Sequence, residues 1–274
     1  MSEVLASSQK PADALAAGAP LPAKHLLEGR ATLARVVIVG AILAAWQFVP
    51  VSRGIKFWLS GPWEIVTTLV GWVVDGSLWS HLAATLGVMI VGYGIGCSVG
   101  IGLGLLLGFL PRLHRVLLPF ITAFYALPKI ALAPLFIILL GIGMGSKVAL
   151  VAITVFFLLL NATIDGIKDV DRDLVQSLRL MGANSTELLS KVLLPSAKPW
   201  IFTGARIAVR YAFTATLLAE LIAANQGIGF LIEFYSGNFD STGTYAAVLV
   251  LVIFSVSLTE ILSRIERRAA SRNA

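Results

Sequence analysis

DRDLVQSLRLMGANSTELLSKVLLPSAKPWIFTGAR, residues 171–206, is a long, charged and helix-forming stretch that separates two long apolar segments. The hydrocarbon core of a bilayer accepts about 20 predominantly apolar residues as one helical span. Most of this stretch is too polar to lie within that core, whereas the flanking segments are apolar enough to cross it. We therefore predict an ordered loop on one side of a membrane, and a loop of this length is suited to docking a partner.

The composition of the whole chain places it in the membrane class. The 274 residues are 57% hydrophobic and 13% charged, and the mean hydropathy is +0.88. This length holds about six spans of roughly 20 residues together with their loops. We predict an all-α polytopic membrane protein with about six transmembrane helices.

The apolar runs predict spans at residues 32–50, 81–110, 117–140, 147–164, 197–224 and 245–262. Residues 1–31 are weakly polar and predict a mobile tail, residues 32–265 form the membrane domain with a loop at 166–197, and residues 266–274 form a second tail. Between the first two spans, Trp58, Trp63, Trp72 and Trp79 together with Pro62 predict a helix lying along the membrane interface.

The distribution of basic residues predicts the orientation. Six spans put both termini and the loop at 166–197 on one side. Fifteen of the 21 Lys and Arg residues fall on that side, whereas only Arg53, Lys56 and Lys147 fall on the other. Loops rich in Lys and Arg stay in the cytoplasm, so we expect cytoplasmic termini and a cytoplasmic loop. The same cations are spread over four segments, which argues against a nucleic-acid-binding patch.

The polar loop itself predicts two short helices joined by a bend. Asp171 caps a first helix, and Gly182 supplies a left-handed stop. Asn184 and Glu187 have the spacing of a capping box, and Pro195 is expected to interrupt the second helix that they begin. The apolar positions at helical spacing are Leu174, Val175, Leu178 and Met181 in the first helix and Leu188, Leu189, Val192 and Leu193 in the second. Such a pair either docks a partner or merely covers the ends of the spans.

A stripe of small residues marks the second predicted span. Gly92, Gly96, Gly100, Gly104 and Gly108 recur every four residues. This spacing exposes backbone along one helix face and lets another helix approach closely. We expect packing within the subunit, with a transport path or a contact between two copies as the alternatives.

Two charged residues lie at membrane depth in the predicted spans. Lys129 follows Pro128, and both Pro128 and Pro134 are expected to interrupt the third span and free backbone carbonyls. Lys129 either borders a translocation path and favours an anion, or pairs with a carboxylate, or lies at a shallower depth in the membrane. Glu220 stands near the outer end of the fifth span, before Gly227 and Gly229, and a surface-facing carboxylate is one alternative for it.

The arrangement of these residues resembles that of one protein family. Gly182-Ala183, Leu194-Pro195, Pro199, Gly204 and Arg206 are similar to the cytoplasmic EAA loop of permease subunits in bacterial ATP-binding-cassette importers. The sequences ALPKIALAPL at 126–135 and AELIAANQGIG at 219–229 resemble the nitrate/sulfonate/taurine-type branch, and the resemblance covers residues 60–268. The chain departs from the family at Gln176-Ser177-Leu178, where Glu-Ala-Ala is usual, so the family's carboxylate is missing there.

The resemblance implies a type I importer permease fold and a role in coupling. The residues that it assigns to coupling with a separate ATPase are Val175, Gln176, Leu178, Gly182, Ala183, Glu187 and Pro195. It makes Glu220 a gate or packing position. The implied partners are a second permease copy, two cytoplasmic ATPase subunits that hold ATP and Mg²⁺, and a periplasmic substrate-binding protein, with membrane lipid around the complex in a bacterial inner membrane. The chain itself is expected to bind no cofactor.

Other function classes fit the sequence less well. A stand-alone secondary carrier or channel is the alternative, but no second segment resembles residues 126–135 as the paired broken helices of many carriers would require. An enzyme needs clustered nucleophile, base or metal ligands, and His25, His81 and His114 have no ligand spacing. Gly141–Lys147 lacks the spacing of a phosphate-binding loop. By resemblance to the family, the solute is expected to be a small anion such as nitrate, a sulfonate, taurine or another small organic acid, with a pyrimidine vitamin precursor as the alternative.

Overall fold

The structure, a computed structural model, describes residues 24–48 and 58–270, and this part of the chain is helical without any β-strand. The helices are α1 Lys24–Phe48, α2 Pro62–Val74, α3 Ser77–Phe109, α4 Pro111–Ala126, α5 Ala133–Leu140, α6 Met144–Lys168, α7 Arg172–Leu180, α8 Ser185–Leu188, α9 Leu194–Ile222, α10 Ile228–Gly237 and α11 Ser241–Ala270. A 3₁₀ turn covers Lys129–Leu132 and a π turn covers Leu189–Leu193. The predicted all-α fold class is confirmed.

Three helices form the centre of the molecule. Helices α3 and α6 run parallel, because Gly92 lies against Val151 and Gly108 lies against Ile167. Helix α9 runs antiparallel to both, and Gly204 of α9 lies against Ala162 of α6. A buried cluster of Val, Met, Leu, Ala and Phe side chains from all three helices fills the space between them.

The glycine stripe of α3 is the surface on which α6 packs. A Cβ atom added at Gly92, Gly96 or Gly104 would lie 2.6 Å from an atom of α6, and at Gly108 the distance would be 2.4 Å. The facing positions on α6 also recur every four residues, namely Val151, Val155, Leu159, Thr163 and Ile167. Parallel helices with matching four-residue stripes can remain in register over several turns. The two backbones therefore approach closely within one subunit.

A second layer consists of α2, α10 and α11. Ile65 and Trp72 of α2, Ile228 and Leu231 of α10, and Ala246 of α11 belong to one buried cluster. The indole of Trp72 stacks on the ring of Tyr235 with centroids 5.2 Å apart. Helix α2 begins at Pro62, as predicted, whereas no helix was predicted for the segment that forms α10.

The predicted third span is a broken helix. Helix α4 and the segment Lys129–Leu140 form a pair bent by 90°. Leu127 has extended backbone geometry, with ψ 136°, because the residue before a proline is disfavoured in the α region. The predicted break at Pro128 is therefore confirmed. The expectation for Pro134 is wrong, because Pro134 lies in the first turn of α5 and begins that helix instead of interrupting one.

The number of membrane spans is judged from the length and composition of the helices. By length and composition, Ser77–Phe109, Met144–Lys168 and Ser241–Arg264 can cross a membrane, and the bent pair would make a fourth span. Helix α9 is 29 residues long but carries Lys198, Arg206, Arg210 and Glu220. Six spans therefore stay a prediction. Residues 1–23 and 271–274 of the predicted tails lie outside the described residues, and residues 266–270 belong to α11.

Candidate functional site

The polar loop between α6 and α9 begins with the predicted first helix. The Asp171 side chain accepts a hydrogen bond from the backbone N–H of Asp173 at 2.8 Å and caps α7. At the other end, Gly182 has φ +89°, a left-handed conformation that an L side chain rarely adopts. The N–H groups of Gly182 and Ala183 donate to carbonyls of the last turn of α7 at 3.0 Å. The cap and the glycine stop are thus confirmed.

The predicted capping box opens α8. The N–H of Glu187 donates to Asn184 Oδ1 at 2.9 Å, and the N–H of Asn184 donates to Glu187 Oε2 at 3.1 Å. Lys191 Nζ lies 3.1 Å from Glu187 Oε1. The backbone N–H of Asn184, followed by Lys191, lowers the pKa of the exposed Glu187 carboxyl, so this carboxylate is charged at neutral pH.

The expectation that Pro195 interrupts the second helix is wrong. The chain passes from α8 through the π turn at Leu189–Leu193, where the N–H of Leu194 donates to Leu189 O, and then directly into α9. Pro195 lies in the first turn of α9, where its missing N–H and fixed φ are tolerated. Because the π turn at Leu189–Leu193 leads into α9 and Pro195 lies in the first turn of that helix, α8 and α9 form one continuous arm.

The loop, here called the elbow (residues 169–193), is anchored to the helix ends at its base. Val175 and Leu189 pack against a buried cluster of Ile167, Leu193 and Ala197. The indole N–H of Trp200 donates to Asp169 Oδ2 at 3.2 Å. These contacts join α6, the elbow and the start of α9.

The bend of the elbow is exposed and apolar. Leu180 is 90% exposed, and Met181, one of the apolar positions predicted at helical spacing, is 82% exposed. Leu180 was not among the predicted site residues. Beside this tip lies a concavity of about 300 Å³ lined by Leu178, Gly182, Ala183, Glu187, Leu188 and Lys191. An exposed apolar patch with charged residues at its edge is typical of a protein-binding surface.

The predicted coupling residues divide into two groups. Gln176 and Pro195 are exposed, whereas Val175, Leu178, Ala183 and Glu187 are partly buried. Gly182 is exposed at the bend. All of these residues except Pro195, which lies in the first turn of α9, belong to the elbow, and Val175 packs at its base.

Lys129 lies at the break between α4 and α5. Its ammonium donates to the carbonyl of Tyr125 and lies 4.5 Å from the centroid of the Tyr125 ring and 5.8 Å from that of Phe157. Across residues 24–48 and 58–270, no carboxylate lies within ion-pair distance of Lys129. Lys129 lines a cavity of about 220 Å³ together with Thr154, Tyr211 and Thr214.

Glu220 is buried at the end of the bundle opposite the elbow. Its side chain is 1% exposed, so the surface-facing alternative is wrong. Glu220 Oε2 accepts from Thr85 Oγ1 at 3.0 Å and from the N–H of Gly229 at 2.9 Å. Lys147, predicted as the first residue of the fourth span and one of the three cations on the side opposite the termini, is only 5% exposed in α6. Thr85 was not among the predicted site residues, although a hydroxyl two turns into an apolar helix is a signal of such a contact.

Comparison with known proteins places these features in a family context. Residues 100–271 match the family model described as the binding-protein-dependent transport system inner membrane component. The taurine transport system permease protein of Escherichia coli is 32% identical over 196 residues, which cover 71% of each chain. The formylaminopyrimidine transport permease protein of Halalkalibacterium halodurans is 30% identical over 215 residues, covering 78% of this chain and 86% of the relative.

A riboflavin transport system permease protein from Chloroflexus aurantiacus is 31% identical over 227 residues, covering 82% of this chain and 85% of the relative. Among solved structures, a chain of the MetNI methionine ABC transporter in an inward-facing conformation superposes with a TM-score of 0.60 at 21% identity. The match covers 69% of this chain and 94% of that chain. At this identity the likeness shows the fold alone, which is that of a type I importer permease.

Proposed function

Because this chain belongs to the family of binding-protein-dependent transport system inner membrane components, we propose that it forms the translocation path for a small solute in an importer driven by a separate ATPase. The chain is a permease subunit of an ABC importer. In the proposed assembly, two copies surround the path, each copy docks one ATPase subunit, and a periplasmic binding protein delivers the solute. ATP and Mg²⁺ are bound by the ATPase, and the permease binds no cofactor.

The observation that carries the proposal is the elbow. Its exposed Leu180 and Met181 offer an apolar tip, and the adjoining concavity contains one carboxylate and one ammonium, from Glu187 and Lys191. Such a surface suits a protein partner better than a lipid headgroup layer, which would favour clustered cations.

The elbow is also suited to transmitting force. Its second arm continues into α9 without a break, and its first arm is held to α6 through the cluster around Ile167. Helix α6 in turn lies in close contact with the glycine stripe of α3. Tightly packed helices move as units and do not deform continuously. A displacement of the tip by an ATPase would therefore tilt α9 and the α3–α6 pair, and differential binding of ATP to one arrangement would bias the equilibrium.

The proposed solute is a small anion, such as taurine, a sulfonate, nitrate or another small organic acid. The support is the cavity beside Lys129, in which one ammonium and the hydroxyls of Thr154, Tyr211 and Thr214 are the polar groups. A cation at this depth is costly unless an anion or a polar group compensates it. Relatives named for taurine and for aliphatic sulfonates transport are consistent with an anion, whereas relatives named for riboflavin and formylaminopyrimidine are not restricted to that class.

We propose a bacterial inner membrane as the location, with both termini and the elbow in the cytoplasm. The chain is an integral membrane permease with several apolar helices. The excess of Lys and Arg in the termini and in the segments near the elbow supports this orientation.

The test of the function is reconstitution in proteoliposomes with and without the ATPase encoded beside this gene, supplied with the neighbouring binding protein. We expect ATP-dependent uptake of a radiolabelled sulfonate or taurine only when all components are present. Uptake by the permease alone along a solute or ion gradient would support the alternative, a stand-alone carrier or channel, and would contradict the proposal.

A further inference from the structure

The first turn of α10 is held by side chains from other helices. The first N–H groups of a helix have no partner within the helix and need acceptors from elsewhere. At the start of α10 three successive N–H groups, at residues 227 to 229, each donate to a side chain of another helix. The three pairs are Gly227 N to His81 Nδ1 at 3.1 Å, Ile228 N to Thr85 Oγ1 at 2.9 Å, and Gly229 N to Glu220 Oε2 at 2.9 Å.

These acceptors come from the two helices that flank α10. His81 and Thr85 lie one turn apart on the same face of α3, and Glu220 lies near the end of α9. The hydroxyl of Thr85 also donates to Glu220 Oε2 at 3.0 Å, which links two of the three acceptors. The side chain of Glu220 is 1% exposed, and Thr85 and Ile228 are fully buried. Because water cannot replace a hydrogen bond in such a place, opening this contact is costly.

The backbone of α10 fits closely against Glu220. A Cβ atom added at Gly227 would lie 2.2 Å from the Glu220 carboxyl carbon, and one added at Gly229 would lie 2.7 Å from Glu220 Cβ. Gly227 also has φ +125°, which glycine alone adopts readily. The two glycines of the Gly-Ile-Gly sequence at 227–229 therefore allow the start of α10 to pack directly against the Glu220 side chain.

A third helix contacts the same turn. Lys147 of α6 is 5% exposed, and its Nζ lies 3.5 Å from the carbonyl oxygen of Gln226, the residue before Gly227. Lys147 also lies within electrostatic reach of Glu220, so the buried carboxyl group has a cation of a neighbouring helix near it. Helices α3, α6 and α9, which form the centre of the bundle, all hold the start of α10.

We propose that His81, Thr85 and Glu220 are positioning residues that keep α10 fixed to α3 and α9 throughout transport, so that α10 moves with these helices as one body and is not a hinged lid. This inference rests on the proposed function, because it concerns how motion from the elbow reaches the opposite end. Helix α9 begins directly after the elbow, and near its other end it carries Glu220, whose side chain holds α10. A tilt of α9 is therefore carried to α10 without an intervening flexible joint.

The test measures amide hydrogen exchange by mass spectrometry on the peptide covering residues 224–232, in the complete transporter in nanodiscs. We expect slow exchange at residues 227–229, equal within twofold in the nucleotide-free state and in a state trapped with ATP and vanadate. Exchange that becomes more than tenfold faster in the trapped state would show that the contact opens during the cycle and would overturn the proposal.

A matched pair of variants shows whether the side chains are responsible. Thr85→Val keeps the shape of the side chain but removes the hydroxyl, and we expect about tenfold faster exchange at residues 227–229. Thr216→Val is the control, because Thr216 is equally buried but its hydroxyl donates only to Ala212 O of its own helix. Unchanged exchange in Thr85→Val, or the same acceleration in both variants, would overturn the proposal. This comparison needs no uptake, so its outcome is separate from that of the transport test.

Two substitutions of Glu220 separate positioning from a direct action on the solute. Glu220→Gln retains an oxygen that can accept from Thr85 and Gly229, whereas Glu220→Ala retains none. We expect the Glu220→Gln variant to keep at least half of the unsubstituted protein's ratio of solute taken up to ATP hydrolysed. The Glu220→Ala variant should lower this ratio at least tenfold while the complex still hydrolyses ATP. Loss of uptake in Glu220→Gln with slow exchange at 227–229 would mean that the charge itself acts on the solute, which contradicts a positioning role.

Discussion

Two kinds of glycine alternate along α3, and only the structure separates them. Gly92, Gly96, Gly100, Gly104 and Gly108 face α6, where an added Cβ atom would meet another atom at 2.4 to 2.7 Å. Gly94 and Gly102 have no other atom within 4 Å of such a Cβ. The first set therefore fixes the distance between two helices, and the second set has no packing requirement.

Alanine substitution should distinguish the two kinds. In Gly96→Ala the new Cβ atom would lie 2.6 Å from the Ala152 carbonyl oxygen, so we expect a loss of stability of about 1–3 kcal/mol from overpacking. Gly94→Ala, two residues away, is the control and should be neutral or stabilising by up to about 1 kcal/mol, because alanine favours the helix. The measurement is the thermal unfolding midpoint of the purified protein. Equal midpoints for the two variants would contradict the assigned packing.

At the level of elements, the elbow combines a bend with a second arm that continues into α9. Gly182 reverses the chain after α7 with φ +89°, and the π turn before Pro195 leads the chain into α9 without a break. The bend can therefore be sharp while the second arm stays stiff.

Changing the bend should uncouple ATP hydrolysis from transport. Gly182→Val places a β-branched residue in a left-handed conformation, at a cost of about 1–2 kcal/mol, and we expect membrane insertion and ATPase activity to persist while uptake falls at least tenfold. Gly182→Asn is the control, since asparagine tolerates this conformation, and it should retain most of the uptake. Uptake and ATPase activity are measured in the same proteoliposomes. Full uptake in Gly182→Val would argue against the elbow as the coupling element.

Charging the tip should weaken the docking of the ATPase. Leu180 is 90% exposed, so Leu180→Asp has little effect on the fold but would bury a charge in an apolar contact with the partner. We expect at least a tenfold loss of co-purifying ATPase. Ser236→Asp adds the same charge on the exposed surface at the opposite end of the molecule and should leave the complex intact. An undiminished complex in Leu180→Asp would exclude the tip from the interface.

The whole molecule has two different ends, and its central helices connect them. The elbow lies at one end, and the buried contact between Glu220 and α10 lies at the other. Because α9 runs from the first end to the second beside α3 and α6, the molecule is suited to carrying motion across a membrane. Its orientation follows from charge, since cations are concentrated in the termini and near the elbow.

Cysteine labelling tests this orientation. Cys97 is the single cysteine of the chain, so a Cys97→Ser background accepts one new thiol at a time. We expect Asn238→Cys, in the exposed turn after α10, to react with a membrane-impermeant maleimide added to spheroplasts. Ser185→Cys, in the exposed elbow, should react only after permeabilisation. The opposite pattern would place the elbow outside and contradict its role with a cytoplasmic ATPase.

Local sequence patterns predicted many structural features of this protein, because these features depend on residues that are neighbours along the chain. The apolar runs, the Asp171 cap, the stop at Gly182 and the Asn184–Glu187 capping box follow from spacing and backbone preference within a few residues. The break at Pro128 follows in the same way from the preference of the residue before a proline. The family resemblance rests on these same local landmarks.

The tertiary structure alone decided the features that join distant parts of the chain. The sequence contained Gly227 and Gly229 but did not show that Glu220 lies against them, because such contacts connect separate helices. Pro195 continues a helix since a π turn precedes it, and Lys147 is buried since α10 begins beside it. Sequence periodicity shows which residues share a helix face. The partner of that face depends on how the helices pack against one another. In this protein, helix packing brings together the side chains that hold α10.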